Sequence, residues 1–157
     1  MILEKDHVAR AKEILSRIMY ITIATASKDG KPWNTPVYSA FDERYNFFWV
    51  SSPLAQHSRN IEESNNAFLV VYDSTQTEGT GEGVYVKVKA FELNDEKEIE
   101  HALRCHYGRR NTPARPASDF MGTNPRRVYK AVPETFWINT YEKVDGHHVD
   151  GKVEIDL

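Results

Sequence analysis

The sequence is short of the residues that staple, anchor or chelate a chain. Its one cysteine, Cys105, excludes an internal disulfide and any zinc site built from a cysteine cluster. Its longest apolar run, Ala67 to Tyr72, is far too short to cross a bilayer. The opening MILEKDHVARAK is charged too early for a secretory leader, so the expected compartment is the cytoplasm. Neither sign of charge dominates: 20 basic against 23 acidic residues leave a net charge of −3, where a general nucleic-acid binder is usually basic. Membrane and nucleic-acid partners are therefore not expected. What is present is an ordinary globular composition, 40% hydrophobic and 27% charged, in a 157-residue length that suits one domain over 1–157.

Hydrophobic spacing predicts few helices and many short strands. Val8, Ala11, Leu15 and Ile18 recur at helical intervals, which predicts an amphipathic helix over 4–18. Tyr20 to Ala26 alternates, Asp29-Gly30 supplies a hairpin turn, and Trp33 to Phe41 returns. Further strands are expected at Phe47–Val50, Ala67–Tyr72 and Gly83–Leu93, with Val84, Val86 and Val88 sharing one face of the last. Helices are expected at Gln56–Ser64 and Asp95–Tyr107, the second with Ile99, Ala102, Leu103 and His106 inward. Residues 108–126 read as irregular, Arg127–Val132 and Thr135–Tyr141 as two closing strands, and the rest as a polar tail. Six or seven mostly antiparallel strands joined by short turns point to a closed or partly closed barrel.

The stretch from Trp33 to Asn60 carries the most functional information. A flat heteroaromatic ring needs backbone donors and acceptors along its edge, and a phosphate needs hydroxyls, cations and the free N–H groups of a helix start. Both sets occur here in order, within about thirty residues. Pro36 cannot donate to a ladder, which leaves two readings: an edge-strand proline that discourages aggregation, or a device that frees backbone groups at Asn34 and Thr35 for a ligand. Ser51, Ser52 and Pro53 read as a helix cap with proline at the first helical position, which is at the same time an anion site. The aromatics Phe47, Phe48 and Trp49 are core first, and periodicity does not say which strand face looks at a ligand.

DGKPWNTPV, FFWVSS, QHSRNI, the DS of VVYDS, GVYVKVKAFEL and RRVYKAVPETFWI, in that order and at those intervals, resemble the pyridoxamine 5'-phosphate oxidase-like split-barrel flavoproteins over nearly the whole chain. The resemblance implies a mainly β split barrel with a few helices, and a homodimer that binds FMN, or in some branches a deazaflavin or haem, in a groove between subunits. It puts Asn34, Thr35, Pro36, Val37, Trp49, Ser51, Ser52, Gln56, His57 and Asn60 at the cofactor, with Trp137 contributed by the opposite subunit. Ser51, Ser52, His57 and Asn60 would ring the phosphate, and backbone groups near Pro36 would meet the flavin edge. His57 stands where family members often carry lysine or arginine, so the fixed charge is weaker, and a partly protonated His57 would make FMN affinity rise as pH falls from 8 to 6. Arg59 could compensate for that charge.

The implied activity is flavin-dependent oxidation or reduction of a small substrate, with no catalytic acid or base assigned. Genuine pyridoxamine-phosphate oxidase activity is not expected, because the arginine and histidine that follow the FW pair in that enzyme are missing: Trp137 is followed by INTYEKVD, with only Lys143 near the arginine's place. Two other readings stand beside it: a non-enzymatic flavin or haem carrier or sensor, and a module whose groove binds a protein or nucleic acid.

Other segments are read more plainly. Gly79–Gly83 opens no helix and reads as a connection, His147-His148 lacks a third metal ligand, and Cys105 reads as a packed thiol. From Arg104 to Lys130, however, Arg104, Arg109, Arg110, Arg115, Arg126, Arg127 and Lys130 face a single acid, Asp119, in a segment broken by prolines and glycines. It reads as a lid that recruits an anionic substrate or a nicotinamide phosphate, as a local nucleic-acid patch, or as a solvated surface.

Overall fold

A computed structural model describes residues 4–157, and side chains at all of these except 4, 5, 142, 143 and 148. Lys143 and His148, both noted in the sequence, therefore have side chains outside the described residues. The chain runs α1 (Glu4–Arg17), β1 (Tyr20–Ala26), β2 (Pro32–Tyr38), β3 (Ala40–Phe41), β4 (Phe47–Ser51), α2 (Gln56–Ser64), β5 (Asn66–Tyr72) and β6 (Gly83–Glu92). It continues through α3 (Glu96–Arg109), a 3₁₀ turn (Ala117–Phe120), β7 (Arg127–Val144) and β8 (His147–Ile155).

The strands form one antiparallel sheet in the order β2-β1-β5-β6-β7-β4-β3, with β8 added to β7. The two end strands, β2 and β3, are separated in sequence by Ser39 alone. The expected single strand from Trp33 to Phe41 breaks there for a reason: the Ser39 N–H donates to Met19 O on one side at 2.9 Å, and its hydroxyl to Phe48 O on the other at 3.1 Å. One residue thus turns the chain from one end of the sheet to the other, curling it into a split barrel.

Inside, Val84, Val86 and Val88 alternate with outward residues as expected, and pack with Ile23, Leu69 and Trp49 in the main core. Each such large side chain contributes roughly 1.5–3 kcal/mol when fully buried. A second cluster forms where α3 lays Ile99, Ala102 and Leu103 on Phe48, Leu93, Val128 and Phe120. Asp95 caps this helix by accepting the Glu98 N–H at 3.0 Å.

Three expectations are corrected. The two closing strands are one 18-residue strand, β7: Pro133 sits beside a register shift at Lys87/Val88, where a bulge tolerates a residue that cannot donate. The polar tail is strand β8, joined to β7 by Asp145-Gly146, both at positive φ (50° and 83°) as a tight hairpin requires. The Ser51–Pro53 helix cap is absent as well. Ser52 Oγ accepts the Leu54 N–H at 3.2 Å and Ser52 O the Ala55 N–H at 3.1 Å, a turn that delays the start of α2 until Gln56.

Candidate functional site

A cleft of about 680 Å³ lies between β2, the end of β4, the start of α2 and the α3–3₁₀ region. Thr35, Pro36 and Val37 form one wall with Tyr20 and Tyr38, while Val50, Ser51 and His57 form a second. His106, Tyr107 and Arg110 of α3 and its cap, with Arg115, Phe120 and Arg126, close the far end.

The open wall follows from strand register. β2 pairs only with β1 among the described residues, Thr22 opposite Pro36 and Ile23 opposite Thr35. The flanking bonds, Ser27 N to Lys31 O and Ser39 N to Met19 O, fix which pairs exchange hydrogen bonds. Alternation then turns Thr35 and Val37 backbone groups toward β1, and those of Asn34, Pro36 and Tyr38 toward the open edge. Pro36 therefore sits where its missing N–H costs no ladder bond. Thr35, expected to offer backbone groups, has them engaged; Asn34 turns its own toward the open edge but does not line the cleft.

At the α2 end, Ser51 Oγ and His57 Nε2 share a hydrogen bond of 2.8 Å. His57 is 5% exposed, and burial lowers its pKa, so the ring is neutral near pH 7. That shift runs against the expectation of a partly protonated His57. The N-cap, Ala55, offers no side-chain acceptor, so the first N–H groups of α2 keep their donors uncapped. Asn60 does not reach the cleft: its Nδ2 donates to Thr25 Oγ1 at 2.9 Å and its Oδ1 accepts from Gln56 Nε2 at 2.8 Å, which ties α2 to β1. Ser52, Gln56 and Arg59 do not line the cleft either.

Trp49 is fully buried and stacked on Tyr129 at 5.6 Å, so it belongs to the core rather than to the cleft wall. Trp137 is half-buried on β7, stacked on Phe68 at 6.0 Å, away from the cleft of its own chain.

The basic segment divides sharply. Arg109 is structural: its guanidinium donates to Leu15 O (2.7 Å), Ile18 O (2.8 Å), Ser16 O (3.1 Å) and Ser39 O (3.1 Å), tying the end of α1 to the strand corner. Arg127 holds the carbonyls of Gly122 and Asn124 and pairs with Glu92, while Lys130 pairs with Glu98. Arg110, Arg115 and Arg126 reach the cleft, and no acid lines it.

Beneath Arg110, His106 is 7% exposed; burial and the nearby Arg110 charge lower its pKa to about 4. Its Nδ1 and the Tyr38 hydroxyl have no hydrogen-bond partner among the described residues. Tyr38 escaped the sequence reading, although Pro36 and Tyr38 share the strand alternation that would have found it. Cys105 is a packed thiol whose pKa burial raises, and the described residues hold no group of three metal-ligating side chains.

The family model for pyridoxamine 5'-phosphate oxidase matches residues 8–141. The chain belongs to that family. No curated protein sequence matches it. Solved structures share the split-barrel fold at low identity. A conserved hypothetical protein from Mycobacterium tuberculosis superposes with a TM-score of 0.67 at 19% identity, covering 82% of this chain and 81% of that one. HutZ, the haem storage protein of Vibrio cholerae, gives 0.63 at 16% identity over 80% and 89%. An F420 reductase gives 0.57 at 18% over 80% and 94%. None of the helices among the described residues is long and apolar enough to cross a membrane.

Proposed function

We propose that the cleft holds FMN and that this pyridoxamine 5'-phosphate oxidase family member is a flavin-dependent oxidoreductase for a small anionic substrate. The observation that carries the reading is that an unpaired strand edge and an uncapped helix start meet in one cleft. On the open strand edge Pro36 and Tyr38 line the cleft, and their backbone groups face a polar ring edge, Pro36 with its carbonyl alone. Ser51, His57 and the free N–H groups of α2 offer donors to a phosphate. The residues present therefore fit a phosphorylated flavin, with hydrogen bonds replacing the charge that a lysine would bring.

A bound flavin supplies the electron transfer, and the chain positions and encloses it. The substrate is not pyridoxamine phosphate, because the segment after Trp137 carries neither the arginine nor the histidine of that enzyme and instead runs on into the β7–β8 hairpin. A second copy of the chain completes the site with its Trp137. Tyr20 and Trp33, 64% and 49% exposed on adjoining strands, supply apolar surface for that contact.

The similarity to a haem storage protein and an F420 reductase supports a second reading, in which the same cleft holds haem or a deazaflavin. The absorption spectrum of the purified protein separates these, with mass spectrometry of the released ligand: flavin bands support FMN, a Soret band supports haem, and a colourless protein that binds none of added FMN, haem or deazaflavin overturns both. A monomer that binds one FMN per chain would overturn the shared site.

A further inference from the structure

The α3 end of the cleft has charge, aromatic surface and unmet hydrogen bonds that cofactor binding at α2 leaves unused. Arg115 is committed, since it pairs with Asp119 at 2.8 Å. Arg110 and Arg126 have no ion pair among the described residues, and the guanidinium of Arg110 lies over the rings of Tyr38 and Tyr107 at 5.7 and 5.8 Å. Such stacking keeps the planar fork aimed rather than free to sweep. Phe120 adds an apolar wall.

We propose that this end is a carboxylate subsite: Arg110, assisted by Arg126, binds the carboxylate of an aromatic substrate whose ring lies among Tyr38, Tyr107 and Phe120. The assignment rests on the reading of the cleft as a cofactor and substrate site, and it names the substrate class. A planar carboxylate matches the fork of a guanidinium two oxygens to two N–H groups. The fork pairs a phosphate in the same way, so the surroundings distinguish the two anions. The histidine beneath is neutral, so the free charge resides on the arginines alone, and this end lacks the uncapped helix start found at α2; its hydroxyls are the phenols of Tyr38 and Tyr107. The unmet groups point the same way. Tyr38 Oη is a hydroxyl buried without a partner, so an arriving oxygen anion is the group that would accept from it as Arg110 moves onto it; His106 Nδ1 is unpartnered too, and donates only in the tautomer that protonates it.

The test is a ligand-observed NMR titration of the protein without added FMN, using benzoate, its neutral counterpart benzamide, and phenyl phosphate. Benzoate should bind at least tenfold more tightly than benzamide and no less tightly than phenyl phosphate. Arg110→Gln should weaken benzoate tenfold or more while leaving benzamide within twofold, with an unchanged melting curve showing that the variant folds. Tyr38→Phe should weaken benzoate by several-fold. Equal binding of benzoate and benzamide, or no benzoate binding at all, overturns the subsite. Phenyl phosphate binding tenfold tighter than benzoate also overturns it, in favour of a phosphate site. FMN affinity is measured separately, so loss of flavin binding with benzoate retained would count against the cofactor reading alone.

Discussion

The two ends of the cleft are built in opposite ways. At the α2 end the side chains are uncharged and bonded to each other: Ser51 and His57 hold one another, and burial keeps the imidazole neutral. At the α3 end the charges are permanent and two of the three arginines are unpaired among the described residues. The contrast extends to neighbours in sequence. Arg109 spends its donors on four carbonyls of the fold, while Arg110, one residue on, lies over two tyrosines at the cleft.

The sharpest way to break that contrast is to remove each arginine in turn. Arg109→Gln should cost about 3 kcal/mol, since it strands buried carbonyls that a charged donor satisfied. That is roughly 6–12 °C in melting temperature for a domain of this size. Arg110→Gln should shift the melt by no more than about 0.5 kcal/mol. Equal losses would show that both arginines are structural.

Acid stability tests the floor beneath the arginines. The folded pKa of His106, about 4, lies below its ordinary 6.5. Between those values the unfolded chain takes up a proton that the folded chain refuses, so stability falls as pH drops from 6.5 toward 4, by up to about 3 kcal/mol. His57, also lowered by burial, acts in the same direction. Urea melts of His106→Gln across that range should lose His106's share of the slope; an unchanged slope would mean that its burial carries no such cost.

At the α2 end, Ser51→Ala combined with His57→Ala should weaken FMN about tenfold or more and riboflavin far less. Similar weakening of both ligands would place the phosphate elsewhere. With His57 neutral, FMN affinity should not rise as pH falls from 8 to 6, and it should decline as the phosphate takes up its proton near a pKa of about 6. The smallest effect is expected at Thr35, whose hydroxyl accepts from Trp33 Nε1 at 2.7 Å while its backbone stays in the β1 ladder. Thr35→Ala should leave FMN affinity within about twofold, an energy below 0.5 kcal/mol; complete loss would show that the side chain carries the contact.

The sequence was most informative where local signals and packing agree. Val84, Val86 and Val88 announce a buried strand face, and the helix expected over Gln56–Ser64 is there, although the Ser51–Pro53 cap expected before it is not. It misled where one signal had two outcomes. Pro133 reads as a strand break, yet a bulge absorbs it. The residues around the Asp145-Gly146 turn are polar and show no apolar alternation, so the hairpin is not legible there; β8 is held by its pairing with β7 and by Ile155 and Val153 packed on the main core near its end. At the site, the charge excess from Arg104 to Lys130 was plain, but sequence cannot tell an arginine that caps a helix from its neighbour at a cleft. Trp49 and Asn60 show the same limit: residue type suggested ligand contact, and tertiary packing turned both inward.

β7 pairs with β6 along one edge and divides the other between β4 and β8. In chain order it follows both β4 and β6 and so is made after them. Until residues 127–144 are made, β4 and β6 each lack a neighbour, and Phe47 waits for Ala131, with α2, β5, β6 and α3 between them in the chain. Pairings of such high contact order slow folding toward the range of milliseconds to seconds. Nascent chains that stop short of β7 expose open strand edges, a hazard for aggregation that the completed sheet removes.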